Sequence, residues 1–245
     1  MRTLFALALF CTSAVAVLAA DAGPWKLDDK LKAAKPEDLK DAEGARAPEG
    51  AVVLFDGKDF SKWVKRDGKS EVKWNLRDGG VMEGVKGHGD IITKETFGGK
   101  FRLHLEFRVP YEPGNSGQGR GNSGVYIQGR YEVQILDSYG LKSGKNDCGA
   151  IYGVAAPAVN ACKAPTVWQS YDIEFTPPKV EGGKKTEPAR MTVTHNGVKI
   201  HDNVLVTSDN TTAGLGGDVA KPGPILLQDH GHPVQFRNIW LSPVK

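Results

Sequence analysis

"KFRLHLEFRVP", residues 100–110, alternates without a break. Phe101, Leu103, Leu105, Phe107 and Val109 fall on one side of an extended chain, with Arg102, His104, Glu106 and Arg108 on the other. That period of two marks a strand with one buried face, and Pro110 ends it. "WQSYDIEFTP" (168–177) repeats the pattern, with Tyr171, Ile173 and Phe175 opposite Asp172 and Glu174. "ARMTVTHNGVKIHDNV" (189–204) reads as a hairpin, because Asn196-Gly197 is the strongest two-residue turn signal. "VKWNLRDGGVMEGV" (72–85) reads as another, turning at Asp78-Gly79-Gly80. "GPILLQDHGHPVQFRNIWLSPV" (223–244) gives two strands around a loop of Asp229, His230, Gly231, His232 and Pro233. Helix-period patterns are scarce and turn signals frequent. The expected fold is all-β: an antiparallel β-sandwich, of the jelly-roll kind.

The ends of the chain read differently. Met1 and Arg2 precede an apolar run from Leu4 to Leu18, and Ala19-Ala20-Asp21-Ala22 offers small residues for cleavage. Residues 1–20 are therefore expected to be a secretion signal rather than a membrane span, since the run is too short. Phe10 before Cys11 argues against lipidation. The mature protein is expected to be exported, periplasmic or secreted. Residues 21–49 are rich in Lys, Ala and acids and read as a solvated leader, with one short helix between Asp28 and Ala34. The folded domain is expected over 50–245, opening with "AVVLFDGKDFSKWV", in which Asp56-Gly57 reads as a turn and Trp63 as a core anchor.

The formal net charge is +3 with both signs mixed, and no basic stripe interleaves with aromatics, so nucleic acid is not an expected partner; nor is a membrane. The Gly-rich loop "EPGNSGQGRGNSG" (112–124) lacks the strand-to-helix setting of a phosphate loop. Cys148 and Cys162 are an even pair in a chain read as exported, which points to one disulfide, with two buried thiols as the alternative. Their spacing is not that of a zinc site. Calcium on the Gly-rich loops stays open without any loop pattern to support it, and no cofactor is required by any motif.

"NSGVYIQGRYEVQILDS" (122–138) carries Glu132 and Gln134 on one face of a strand. Together with "LFDGKDFSKW" (54–63), "WQSYDIEF" (168–175) and "GPILLQDHGHPVQFRNIWL" (223–241), in this order, it resembles the bacterial family named the 3-keto-disaccharide hydrolase domain, formerly a domain of unknown function. The resemblance runs from about residue 50 to the C-terminus. It implies a concanavalin-like jelly roll shared by lectins and laminarinase-type glucanases. It also implies carbohydrate work on glycosides whose glucose is oxidised to a ketone at C3, and hence a separate sugar 3-oxidoreductase upstream.

Retaining glucanases on this fold set carboxylates on alternate residues of one strand, about 7 Å apart along it, because a retaining mechanism needs carboxyl groups about 5–5.5 Å apart. Here that alternation reads Glu132, Gln134, Leu136, so the second carboxylate is missing. A keto sugar needs less. A C3 ketone acidifies the proton on C2; one base can remove it and the C1 leaving group departs by β-elimination, after which water can add to the enone for net hydrolysis.

Glu132 is the first candidate for that base, unless it is a solvated or ion-paired carboxylate. His230 is the alternate, since imidazole titrates near neutrality, unless its ring only holds a turn. Gln134 would bond a sugar hydroxyl or the carbonyl, Arg108 would stabilise an enolate, and Asn122, Tyr126 and Gln228 would contact the sugar. Three of these have a structural alternative: an exposed sheet face for Gln134, a salt bridge for Arg108, sheet packing for Tyr126. Two other functions stay open. One is a non-catalytic, lectin-like carbohydrate-binding module. The other is a conventional glucanase, disfavoured by Gln134 and Leu136.

Overall fold

A computed structural model describes residues 23–27, 31 and 35–244. The expected signal peptide lies outside the described residues, as do 28–30 and 32–34 of the expected leader helix. Among the described residues no helix is long and apolar enough to cross a membrane.

Among the described residues fifteen strands follow one another: β1 (Val52–Phe55), β2 (Trp63–Lys65), β3 (Asn75–Arg77), β4 (Val81–Glu83), β5 (Ile91–Thr93), β6 (Phe101–Arg108), β7 (Ser123–Ile127) and β8 (Tyr131–Ile135), then β9 (Gln169–Thr176), β10 (Lys179–Glu181), β11 (Lys184–Glu187), β12 (Ala189–His195), β13 (Val198–Val206), β14 (Leu226–Leu227) and β15 (Gln235–Pro243). All pairings are antiparallel. One sheet has the order β13-β12-β9-β6-β15-β4-β3, with β1 also paired to β15; the other runs β2-β5-β14-β7-β8. β10 and β11 form a separate small hairpin. The expected antiparallel jelly-roll sandwich is the observed fold.

Strand parity fills the space between the sheets. Phe101, Leu103, Leu105 and Phe107 of β6, with Tyr171, Ile173 and Phe175 of β9, face Val125, Ile127, Tyr131, Val133 and Ile135 of β7 and β8. Tyr131 meets Phe175 at 5.7 Å between ring centres, and the Tyr171 hydroxyl donates across the sandwich to the Gln134 carbonyl at 2.7 Å. Asn196 (φ 51°) and Gly197 (φ 80°) take the left-handed conformations that the β12–β13 turn requires.

The leader from Pro36 onward is a strap rather than a free segment. Ala42 N–H donates to Trp168 O at 2.9 Å, Tyr139 Oη to Asp38 Oδ2 at 2.8 Å, and Trp240 Nε1 to Ala45 O at 3.1 Å. A Cβ on Gly44 would lie 1.9 Å from Glu106 Oε1, so only glycine lets the strap pass there. The strap explains why His104 and Glu106, on the polar face of β6, are buried. His104 bonds Asp172 at 3.0 Å, and Glu106 accepts from Arg237 at 2.6 Å and Asn238 at 2.7 Å.

The disulfide expected between Cys148 and Cys162 is not formed: both are free, buried thiols. Tyr171 spends its one proton on Gln134 O, so the Cys148 thiol donates to the Tyr171 oxygen, with 3.1 Å between them. The two sulfurs and a His195 ring nitrogen lie within 4.8 Å of one another, a grouping that their sequence separation conceals. It offers thiols and an imidazole, not the oxygen donors calcium takes.

Candidate functional site

β7 and β8 place the chemistry on the outer face of the smaller sheet. Val125, Val133 and Ile135 point into the core, so the alternation sends Tyr126, Glu132 and Gln134 the other way. Tyr126 stands directly opposite Glu132. Both backbone groups of Glu132 bond outward, its N–H to Thr211 Oγ1 at 3.0 Å and its carbonyl to Tyr152 N–H at 3.1 Å. Tyr126 and Glu132 are thus a non-hydrogen-bonded pair, the register that brings cross-strand side chains closest. Gly124 makes room beside them. A Cβ there would lie 2.3 Å from Glu132 Oε1, so the carboxyl leans across the space that glycine leaves.

An outward face would ordinarily be wet, yet Glu132 is only 3 % exposed and Gln134 1 %. Residues 149–152 lie along the free edge of β8, with Gln134 N–H donating to Ala150 O at 2.9 Å. The segment around Thr211 covers the same edge, Thr211 Oγ1 also donating to Arg130 O at 2.9 Å. Between these loops is a pocket of about 340 Å3 counted to its mouth, lined by Gln118, Asn122, Tyr126, Glu132, Gln134, Tyr152, Thr212, Ala213, Gln228 and His230.

Burial raises the Glu132 pKa from 4.5 to about 7; the Tyr126 hydroxyl bonded to it opposes the rise and the nearby Asp90 charge adds to it. Tyr126 is held above its ordinary value of 10.0, first by burial and then by the Glu132 carboxylate. Its oxygen accepts from Gln228 Nε2 at 3.0 Å, and its proton goes to Glu132. The result is a carboxylate with the basicity of an imidazole, carrying a hydroxyl held from two sides.

A second cluster is made of amides. Gln118 Nε2 donates to the Asn146 carbonyl at 2.8 Å, which turns its Oε1 toward Asn122 Nδ2 at 3.1 Å and Gln134 Nε2 at 3.0 Å. Asn122 Nδ2 also donates to the Gln118 carbonyl at 2.8 Å, leaving Asn122 Oδ1 to accept from Gln134 Nε2 at 3.4 Å. Backbone carbonyls therefore fix the orientation of all three amides. Gln134 Oε1 is left buried without a donor.

Six of the seven sequence-predicted site residues meet in this pocket: Glu132, Gln134, Asn122, Tyr126, Gln228 and His230. His230 is exposed and stands at the mouth, its ring 6.1 Å from that of His232. Arg108 is the exception. It belongs to β6 in the other sheet, its guanidinium 4.7 Å from the Trp25 ring and 4.9 Å from the Trp168 ring, with Nε donating to Gln235 Oε1 at 2.6 Å. Polar alternation gave Arg108 a direction but not a sheet. Sequence reasoning missed Gln118, hidden in the Gly-rich loop, and Tyr152 and Thr212, which long connections bring in. It also missed Asp90, which acts on Glu132 through charge and is held by Arg66 at 2.7 Å. Only Gly124, opposite Gln134, left a readable sign: a glycine inside a strand pattern marks a close approach.

A larger cleft of about 730 Å3 lies against the other sheet, lined by Val53, Asp56, Arg237 and Trp240 among others. Arg237 is already paired with Glu106, so that cleft carries no comparable acid–base pair.

Residues 50–242 match the family model of the 3-keto-alpha-glucoside-1,2-lyase-like domain. Among solved structures, a candidate glycosyl hydrolase from Parabacteroides distasonis ATCC 8503 is 37 % identical with a TM-score of 0.74, the match covering 81 % of this chain and 86 % of that one. Two further candidate glycosyl hydrolases from the same organism have TM-scores of 0.58 and 0.54 at 22 % and 25 % identity. They cover 80 % of this chain each, and 95 % and 100 % of their own. No curated protein matches.

Proposed function

Because the chain belongs to the 3-keto-alpha-glucoside-1,2-lyase-like domain family, a glycosyl hydrolase-like, carbohydrate-active one, we propose that it is an exported enzyme that cleaves 3-keto-glycosides by β-elimination. The observation that carries the proposal is Glu132: one buried carboxyl, its pKa raised to about 7 by that burial, with no second carboxyl among the residues that line its pocket. A retaining or inverting glycosidase needs two carboxyl groups about the anomeric carbon. Removal of a carbon acid's proton needs one base, most effective when its pKa lies near the working pH.

In the proposed step Glu132 takes the proton from C2. The electron pair of that C–H bond forms the C1=C2 double bond, the C1–O bond breaks, and the leaving oxygen collects a proton. Tyr126, kept protonated by its raised pKa and positioned by Gln228, donates to the Glu132 carboxylate and, once Glu132 carries the C2 proton, turns that hydroxyl to the oxygen on which charge develops. His230, at the mouth, is placed to protonate an aglycone that extends outward. Water adding across the enone would turn elimination into net hydrolysis.

The test pairs a chromogenic 3-keto-glucoside with its unoxidised parent. Release from the keto substrate alone, lost in Glu132→Gln, is the expected result. Equal release from the plain glucoside would overturn the proposal, and so would full activity in Glu132→Gln.

A further inference from the structure

The pocket wall has a chemical bias that the elimination chemistry does not require. Of its ten lining residues none is lysine or arginine, and the only carboxyl is that of Glu132. Three of the others are the interlocked amides of Gln118, Asn122 and Gln134, whose orientations follow from bonds to the Asn146 and Gln118 carbonyls. Gln134 Nε2 is already engaged by two oxygens of this cluster, and the partner oxygen of the same amide, Oε1, has none. A buried acceptor without a donor is destabilising, and the orientation that leaves it so is imposed by the rest of the cluster.

Resting on the assignment of this pocket to a sugar, we infer that it selects an uncharged, hydroxyl-bearing ring, and that Gln134 Oε1 is the acceptor that reads one ring hydroxyl. A hydroxyl brings the missing donor. A sugar carboxylate or sulfate replaces a donor with acceptors and a negative charge, and it would enter a site that has Glu132 and no lysine or arginine, with His230 only at its mouth. Discrimination of this kind is large when a buried polar group is left unmatched. The amide is a specificity element, separate from the proton transfer.

Binding is measured on the full mature chain with unreactive probes: methyl glucoside, methyl glucuronide, and the methyl deoxyglucosides lacking one ring hydroxyl each. Turnover is measured in parallel on 3-keto-glucoside and 3-keto-glucuronide. The glucuronide is expected to bind at least tenfold more weakly than the glucoside. One deoxy isomer should lose tenfold in the native protein and nothing further in Gln134→Met, a difference that a merely structural role would not produce. Circular dichroism confirms that Gln134→Met is folded; if it is not, the deoxy series on the native protein decides. Equal binding of glucuronide and glucoside, or no hydroxyl singled out by the deoxy series, overturns the inference even where the keto-glucoside is cleaved. Selective glucoside binding without turnover of either keto sugar leaves the inference standing and sinks the elimination reading. No binding and no turnover of any probe rejects both.

Discussion

Glu132→Gln is predicted to stabilise the protein at alkaline pH and to leave its stability near pH 4 unchanged. The carboxyl of the folded chain titrates near 7 because burial opposes its charge, against an ordinary value of 4.5. Below 4.5 both folded and unfolded chains carry the proton, and Glu132 contributes nothing to the pH dependence. Between 4.5 and 7 the unfolded chain ionises first, so folding binds a proton and stability falls as pH rises. Above 7 both are ionised and the loss is complete. One pH unit corresponds to about 1.36 kcal/mol, so the gap amounts to about 3 kcal/mol at pH 8. Glutamine has the same shape and still accepts from Tyr126, but has nothing to ionise. The assay is urea unfolding of both proteins between pH 4 and 9. The native protein should lose ground steadily from about pH 4.5 to 7 relative to the variant, and the two curves should run parallel outside that window. A difference that stays flat across it would refute the premise that burial governs this carboxyl. The same titration should appear as a rising limb near pH 7 in kcat/KM on a 3-keto-glucoside, since only the ionised form can accept the C2 proton.

Three further perturbations separate the site from its surroundings. Gly124→Ala puts a methyl where Glu132 Oε1 now lies at 2.3 Å; it should cost about 1–3 kcal/mol in urea unfolding and reduce kcat/KM at least tenfold. Arg108→Ala should leave kcat/KM on the keto substrate unchanged, because Arg108 lies between Trp25 and Trp168 on the other sheet. It should lower stability by about 1–3 kcal/mol through the lost ring contacts and the unpaired Gln235. His104 is pushed down by burial, but Asp172 and Glu106 outweigh that and raise its pKa above 6.5. Its contribution should therefore be full below pH 6.5 and vanish as pH climbs through the raised folded value, so His104→Gln should remove a stability loss that the native protein shows on the alkaline side.

How far the sequence discloses this molecule depends on the distance over which each constraint acts. Parity along a strand is local. It gave β6, β9 and the β12–β13 hairpin, and it put Glu132 and Gln134 on one face, because a backbone with a two-residue period leaves no other choice. The same rule applied to Arg108 gave a correct polar face on the wrong side of the sandwich, since parity does not say which sheet a strand joins. Burial of the polar faces was invisible for a related reason. Glu132 is covered by segments around Tyr152 and Thr212, and Glu106 by a strap that passes at Gly44. Neither cover has a periodic signature of its own. The thiol pair is a third case: Cys148 and Cys162 are neighbours in space as their count suggested, yet the proton that holds Cys148 as a thiol belongs to a hydrogen-bond chain through Tyr171 to Gln134 O. That chain also ties the core to the strand that carries the proposed base. What the sequence withholds is thus what converts an ordinary surface carboxylate into a base near neutrality: not the residue, which alternation locates, but the two loops that take it out of water.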